Sequence, residues 1–104
     1  GVFASVPRPL DAFVVDVTGG GEALALTTEL RANDLAADRG FDGRSMKAQM
    51  KLANRSGAAH ALIVGDDELA AGTVVVKPMA RDAGEQQTIP RSDVIAYLKQ
   101  KTHR

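Results

Sequence analysis

The sequence predicts an α/β domain: a mixed five-stranded sheet, parallel at its start and antiparallel at its end, carrying three helices. Apolar runs of strand length alternate with segments whose apolar residues recur at helical spacing. The early strands are separated by segments long enough for a helical crossover. Seven residues, 66–72, separate the apolar run 59–64 from the run 73–77, whereas a parallel crossover needs about a dozen. Those two strands are therefore expected to be antiparallel. At 104 residues the chain holds one core and no second.

Residues 12–17 form a nearly continuous apolar run, as expected of a strand covered on both faces, and Gly19, Gly20 and Gly21 supply the turn out of it. In residues 22–32 the set Ala23, Leu26, Thr27 and Leu30 has helical spacing, and Asn33 is a fair C-terminal residue because Asn tolerates the left-handed conformation. A short, more polar strand is expected at 35–39. A second helix spans roughly 44–56 and is closed by Gly57. Strands at 59–64, 73–77 and 85–89 follow, the last two also antiparallel across a short connection. Pro90 stops the final strand and Ser92 is the expected N-cap of a third helix, which buries Val94, Ile95 and Leu98. Residues 1–11 carry two prolines without a usable period and no initial Met, and are expected to be a linker remnant ahead of a domain at 12–104.

Composition narrows the class. The 44% apolar and 25% charged residues suit an ordinary soluble domain, and the absence of Cys excludes disulfides and thiolate metal sites. No run of about eighteen apolar residues is present, so neither a membrane span nor a signal peptide is expected. The net charge is zero, yet it is unevenly placed. Residues 1–43 hold three bases against seven acids, 44–58 four against none, and 59–104 six against six. A neutral chain with pI near 6.9 is no general nucleic-acid glue, since those have pI above about 9. Any such contact must be local. The local concentration is the helix at 44–56, where Arg44, Lys47, Lys51 and Arg55 are spaced three, four and four apart and make one stripe. Met46, Met50, Ala53 and Gly57 make the opposite stripe. A basic stripe is either a solvated face or a surface offered to a polyanion.

Other constellations are weaker. The turn VTGGGEA sits where a phosphate-binding loop would, but Leu24 stands where the last Gly of G-x-G-x-x-G belongs, and no Gly-Lys-Ser/Thr follows. It reads as a structural turn, with a small nucleotide-binding enzyme as the rival. His60 and His103 lack a partner at ligand spacing. Asp66, Asp67 and Glu68 follow a strand end, as a divalent-ion site or, more economically, as helix-capping carboxylates. Asp16 invites comparison with phospho-acceptor domains, whose further acids the chain does not supply.

The segments RSMKAQMKLANRSGAAHALIVGDDELAAGTVVVK and EQQTIP, with the final amphipathic helix, together resemble the C-terminal anticodon-binding domain of histidyl-tRNA synthetases. The resemblance covers about residues 11–99. Asn33 stands where that family often has Gly, and LAADR is more polar than its usual second strand. The resemblance implies a module that recognises the anticodon stem-loop of histidine tRNA, with no catalytic, metal or cofactor residue of its own. Aminoacylation, with ATP and Mg2+, would lie in a separate catalytic domain of the parent chain, a cytoplasmic homodimer. Neither DNA nor membrane is an implied partner. Anticodon loops present unpaired bases and a phosphate backbone. The resemblance accordingly places Arg44, Lys47, Lys51 and Arg55 near phosphates, and Gln49, Asn54, Glu68 and Lys77 among readers of bases or loop. Structural alternatives stand beside the readers: Gln49 borders the apolar stripe, Asn54 can bond backbone, and Glu68 can stabilise its turn. A synthetase-like regulator that binds protein or uncharged tRNA is the alternative function.

Overall fold

The computed structural model describes residues 10–19, 21–40, 45–79 and 84–102. The elements run β1 (Ala12–Asp16), α1 (Gly21–Ala32), β2 (Ala37–Arg39), α2 (Met46–Ser56), β3 (His60–Val64), α3 (Asp66–Ala71), β4 (Thr73–Pro78), β5 (Gln87–Pro90), a 3-10 turn at Arg91–Asp93, and α4 (Val94–Thr102). The sheet order is β2-β1-β3-β4-β5. β1 pairs parallel with β2 and β3, while β3–β4 and β4–β5 are antiparallel. The expected mixed sheet is present, with a fourth helix in addition.

That extra helix occupies the segment expected to be a loop. Six residues make less than two turns, too few for apolar periodicity to show. Three other local expectations shift. The left-handed residue after α1 is Asp34, with φ 64°, rather than Asn33. Asn33 instead returns its side-chain amide to the Glu29 carbonyl at 2.9 Å. Pro90 is the last residue of β5, and Ser92 lies inside the 3-10 turn and does not cap α4. Two residues of the expected linker are packed into the fold. Asp11 is buried, and its carboxylate accepts the Ala36 amide at 2.8 Å, while the Leu10 carbonyl accepts the Ala59 amide at 3.0 Å. Residues 1–9 lie outside the described residues.

The core forms two layers, one on each face of the sheet. On one face Val14, Leu62, Val64, Val74 and Val76 meet Leu26 and Leu30 of α1 and Val94 and Leu98 of α4. On the other, Phe13, Val15 and Ala61 meet Ala53 of α2, with Met50 and Leu52 at the margin. All five β1 residues are buried, as both-face coverage requires. The polar edge strand β2 is protected by α1: the Arg31 Nε donates to the Ala37 carbonyl at 2.9 Å, occupying a group an incoming strand would seek. α1 is tied to the 3-10 turn by Arg91, which bridges Glu22 at 2.7 Å and Glu29 at 3.0 Å. Among the described residues no helix is long and apolar enough to cross a membrane.

His60 opens β3 half-buried, and its Nδ1 is buried with no hydrogen-bond partner among the described residues. Burial pushes its pKa below the ordinary 6.5. The Asp11 backbone opposes this shift next most strongly; the Lys101 charge adds to the lowering, and the Asp11 charge, the smallest contribution, opposes it.

Leu98→Ala opens a hole under the α4 side of the sheet and should cost about 3 kcal/mol in urea unfolding. Because His60 has a lowered folded-state pKa, the unfolded chain binds its proton first as pH falls. Its contribution to stability is whole above about pH 6.5 and declines below it. His60→Gln should make the loss of unfolding free energy between pH 7.5 and 5.5 smaller than in the parent, the two pH values being set about one unit either side of the unperturbed histidine pKa.

Candidate nucleic-acid interface on helix α2 and the open half of the sheet

α2 begins at Ser45, whose hydroxyl accepts the Ala48 amide at 3.2 Å, and ends at Gly57, whose φ of 74° favours glycine and whose amide returns to the Asn54 carbonyl. The chain supplies both caps, as the sequence indicated at Gly57. Gln49 and Ala53 face inward, and Lys47, Lys51, Asn54 and Arg55 are exposed on the opposite side. Arg44, the fourth cation of the expected stripe, lies outside the described residues. The inward stripe is turned from the expected one: Gln49 joins Ala53 at its centre, Met50 lies at the margin, and Met46 is 39% exposed.

Gln49 is 2% exposed, and both ends of its amide are engaged by one backbone residue. Its Nε2 donates to the Asp16 carbonyl at 2.8 Å, and its Oε1 accepts the Asp16 amide at 2.9 Å. An amide so enclosed has no edge to offer a base, so the structure gives this expected reader a structural position. Burial of a glutamine demands such pairing, because an unpartnered buried amide costs about 1–3 kcal/mol. Glu68 is likewise engaged. Its Oε1 accepts the Gly65 amide at 2.8 Å at the start of α3, the N3-to-N-cap half of a capping box and the capping role offered by the sequence for the acidic cluster.

Lys77 sits on β4 opposite Ala61 of β3, and Val75 sits opposite Ile63. Directly paired residues share a face of the sheet, so Lys77 and Val75 are on the α2 side. Thr88 of β5, opposite Val75, extends that row. α2 packs on β1. Beyond it Val75 is half-buried and Lys77 and Thr88 are exposed, whereas Val74 and Val76 on the reverse face are fully buried. Among the described residues, one side of the molecule thus carries a cationic helix and, beside it, half a sheet without a helical cover. Thr88 was not singled out from the sequence; its alternation with Ile89 in QTIP was the available signal.

The GGG turn has a different occupant from the one a nucleotide site would need. Asp16, 6% exposed, turns its carboxylate onto the first turn of α1, accepting the Ala23 amide at 2.9 Å, and onto the Thr18 amide and hydroxyl. The helix start, which attracts anions, is held by the protein's own. Gly20 of that turn and His103 lie outside the described residues.

A family model described as an anticodon binding domain matches residues 11–101. A histidine–tRNA ligase of Nitratidesulfovibrio vulgaris (strain DP4) is 51% identical over 96 residues, 91% of this chain and 22% of that protein. The crystal structure of apo S. aureus histidyl-tRNA synthetase matches with a TM-score of 0.76 and 36% identity, over 86% of this chain and 23% of that one. The RNA binding domain of threonyl-tRNA synthetase from Cryptosporidium parvum Iowa II shares the fold, with a TM-score of 0.77 at 13% identity over 88% of this chain and 23% of that one. The chain therefore spans about a fifth of the length of the curated relatives it matches, and it belongs to the anticodon binding domain family.

Proposed function

We propose that this chain is the tRNA-binding module of a histidine–tRNA ligase, holding the anticodon stem-loop of histidine tRNA while a separate catalytic domain performs ATP- and Mg2+-dependent aminoacylation. The parent is then a cytoplasmic homodimer, and this domain contributes no reacting group. The observation that carries the reading is the exposed face of α2, with Lys47, Lys51 and Arg55, lying on the same side of the sheet as Lys77, Val75 and Thr88. The family match and the histidine–tRNA ligase relatives support it.

In physical terms the cations neutralise phosphates and release counterions. The uncovered strands offer a polar and apolar floor against which splayed bases can stack and bond. Asn54 and Lys77 are the readers, and Arg44 joins the phosphate group. Glu68 contributes by fixing α3 at the rim rather than by reading. Because the capping carboxylate of Asp16 occupies the start of α1, a nucleotide-binding role for the GGG turn has no support in the geometry. The regulator alternative gains no observation of its own.

A histidine anticodon stem-loop should bind more tightly than one with its anticodon bases exchanged, measured by fluorescence anisotropy. Equal affinity would leave a clamp on the backbone and remove the reading role. Lys51→Ala should weaken binding and make the slope of log affinity against log salt shallower by about 0.7, the value of one single-strand phosphate contact. Titration with an ATP analogue should leave the backbone amide shifts of Gly19 and Gly21–Ala23 in place; movement there would restore the nucleotide-site rival.

A further inference from the structure

Helix α2 is weakly positioned by burial. Its one fully buried apolar side chain among the described residues is Ala53, with Met50 and Leu52 at the margin. Apolar contact is non-directional, and an alanine surface offers no knob to oppose rotation or sliding of the helix. A directional contact is supplied instead where β1 outruns its neighbour. β2 pairs with β1 from Ala12↔Ala37 as far as Val14↔Arg39, with the Gly40 amide bonding the Val14 carbonyl at 3.4 Å. Two residues on, the amide and carbonyl of Asp16 face the same side as that Val14 carbonyl, since bonding directions alternate along a strand and the next residue, Val17, directs its amide to Val64 of β3. The Gln49 amide fills that place and makes both bonds a strand would have made.

We propose that Gln49 is a positioning residue for RNA binding. Its side chain acts as a one-residue continuation of the β2 edge, and it sets the rotation and register of α2 that hold Lys47, Lys51 and Arg55 at fixed places on the α2 side. The proposal rests on the RNA-binding reading above. Gly40 completes the clamp: a Cβ there would lie 3.2 Å from both Cγ and Oε1 of Gln49. The strand end therefore lies close against the glutamine side chain, with no room for a larger residue unless the glutamine gives way. Asp16 carries the consequence further, because the residue gripped by Gln49 at its backbone also caps α1 with its carboxylate.

The test compares salt slopes of binding to the histidine anticodon stem-loop RNA for four variants of this chain, under conditions where circular dichroism shows each one folded. Gln49→Met keeps length and removes both bonds. Gly40→Ala leaves the glutamine in place but presses on it by a few tenths of an ångström. Leu98→Ala destabilises from the opposite face of the sheet, and Lys51→Ala reports on the phosphate contacts themselves. Gln49→Met and Gly40→Ala should each weaken binding about tenfold, the worth of one charge-assisted contact, with a slope shallower by about 0.7. Leu98→Ala should leave both quantities at the parent value. Unchanged affinity and slope in folded Gln49→Met would overturn the proposal, as would equal losses in Leu98→Ala, which would mark a general effect of stability. If Gln49→Met does not fold, Gly40→Ala decides alone by the same criteria. If Lys51→Ala leaves the slope untouched, the RNA-binding reading fails first and this inference fails with it.

Discussion

Asp16 ends the central parallel strand with three obligations that a single carboxylate residue meets at once. Its backbone amide and carbonyl extend past the end of β2 and are paired by Gln49. Its carboxylate satisfies the Ala23 amide at the start of α1, and the same group orders Thr18 in the turn between. Buried backbone groups must be paired, so removing any partner leaves a deficit in the interior. The result is that β1, α1 and α2 are joined at one point near the carboxyl end of the strand. The position of the cationic helix is thereby a property of the sheet and not of a loose surface contact.

The two faces of the sheet differ in how completely they are covered, and this difference shapes the candidate interface. α1 and α4 bury Val74 and Val76 on one face, while α2, on the other, packs over β1. The strands β4 and β5 then present Val75, Lys77 and Thr88 without a helix above them among the described residues. A sheet face left open beside a row of cations suits an extended, unpaired polyanion better than a duplex. Bases can lie on the strands while phosphates meet the helix. The overall neutrality of the chain fits a binding surface confined to one patch.

Much of this was readable from residues. The buried parallel strands β1 and β3 were continuous apolar runs, loop lengths separated the parallel from the antiparallel pairings, and the outward stripe of α2 followed from four cations at helical spacing, of which Lys47, Lys51 and Arg55 lie among the described residues. What could not be read has identifiable causes. α3 is too short for periodicity. The 3-10 turn at Arg91–Asp93 displaces the start of α4 beyond Ser92. Gln49 is a polar residue whose inward direction depends on where β2 stops, a tertiary fact that helix geometry alone does not contain. Asp16 caps α1, which the sequence does not show, because a lone carboxylate at a strand end looks alike whether it caps a helix or awaits a ligand.

The central claim is that RNA is held on the α2 side of the sheet. It is tested most directly by mapping backbone amide shifts as the histidine anticodon stem-loop is added to the isotopically labelled chain. The account predicts that the perturbed amides cluster at Lys47, Lys51, Asn54, Arg55, Lys77 and Thr88. A cluster on the exposed sides of α1 and α4, with that set unmoved, would contradict it.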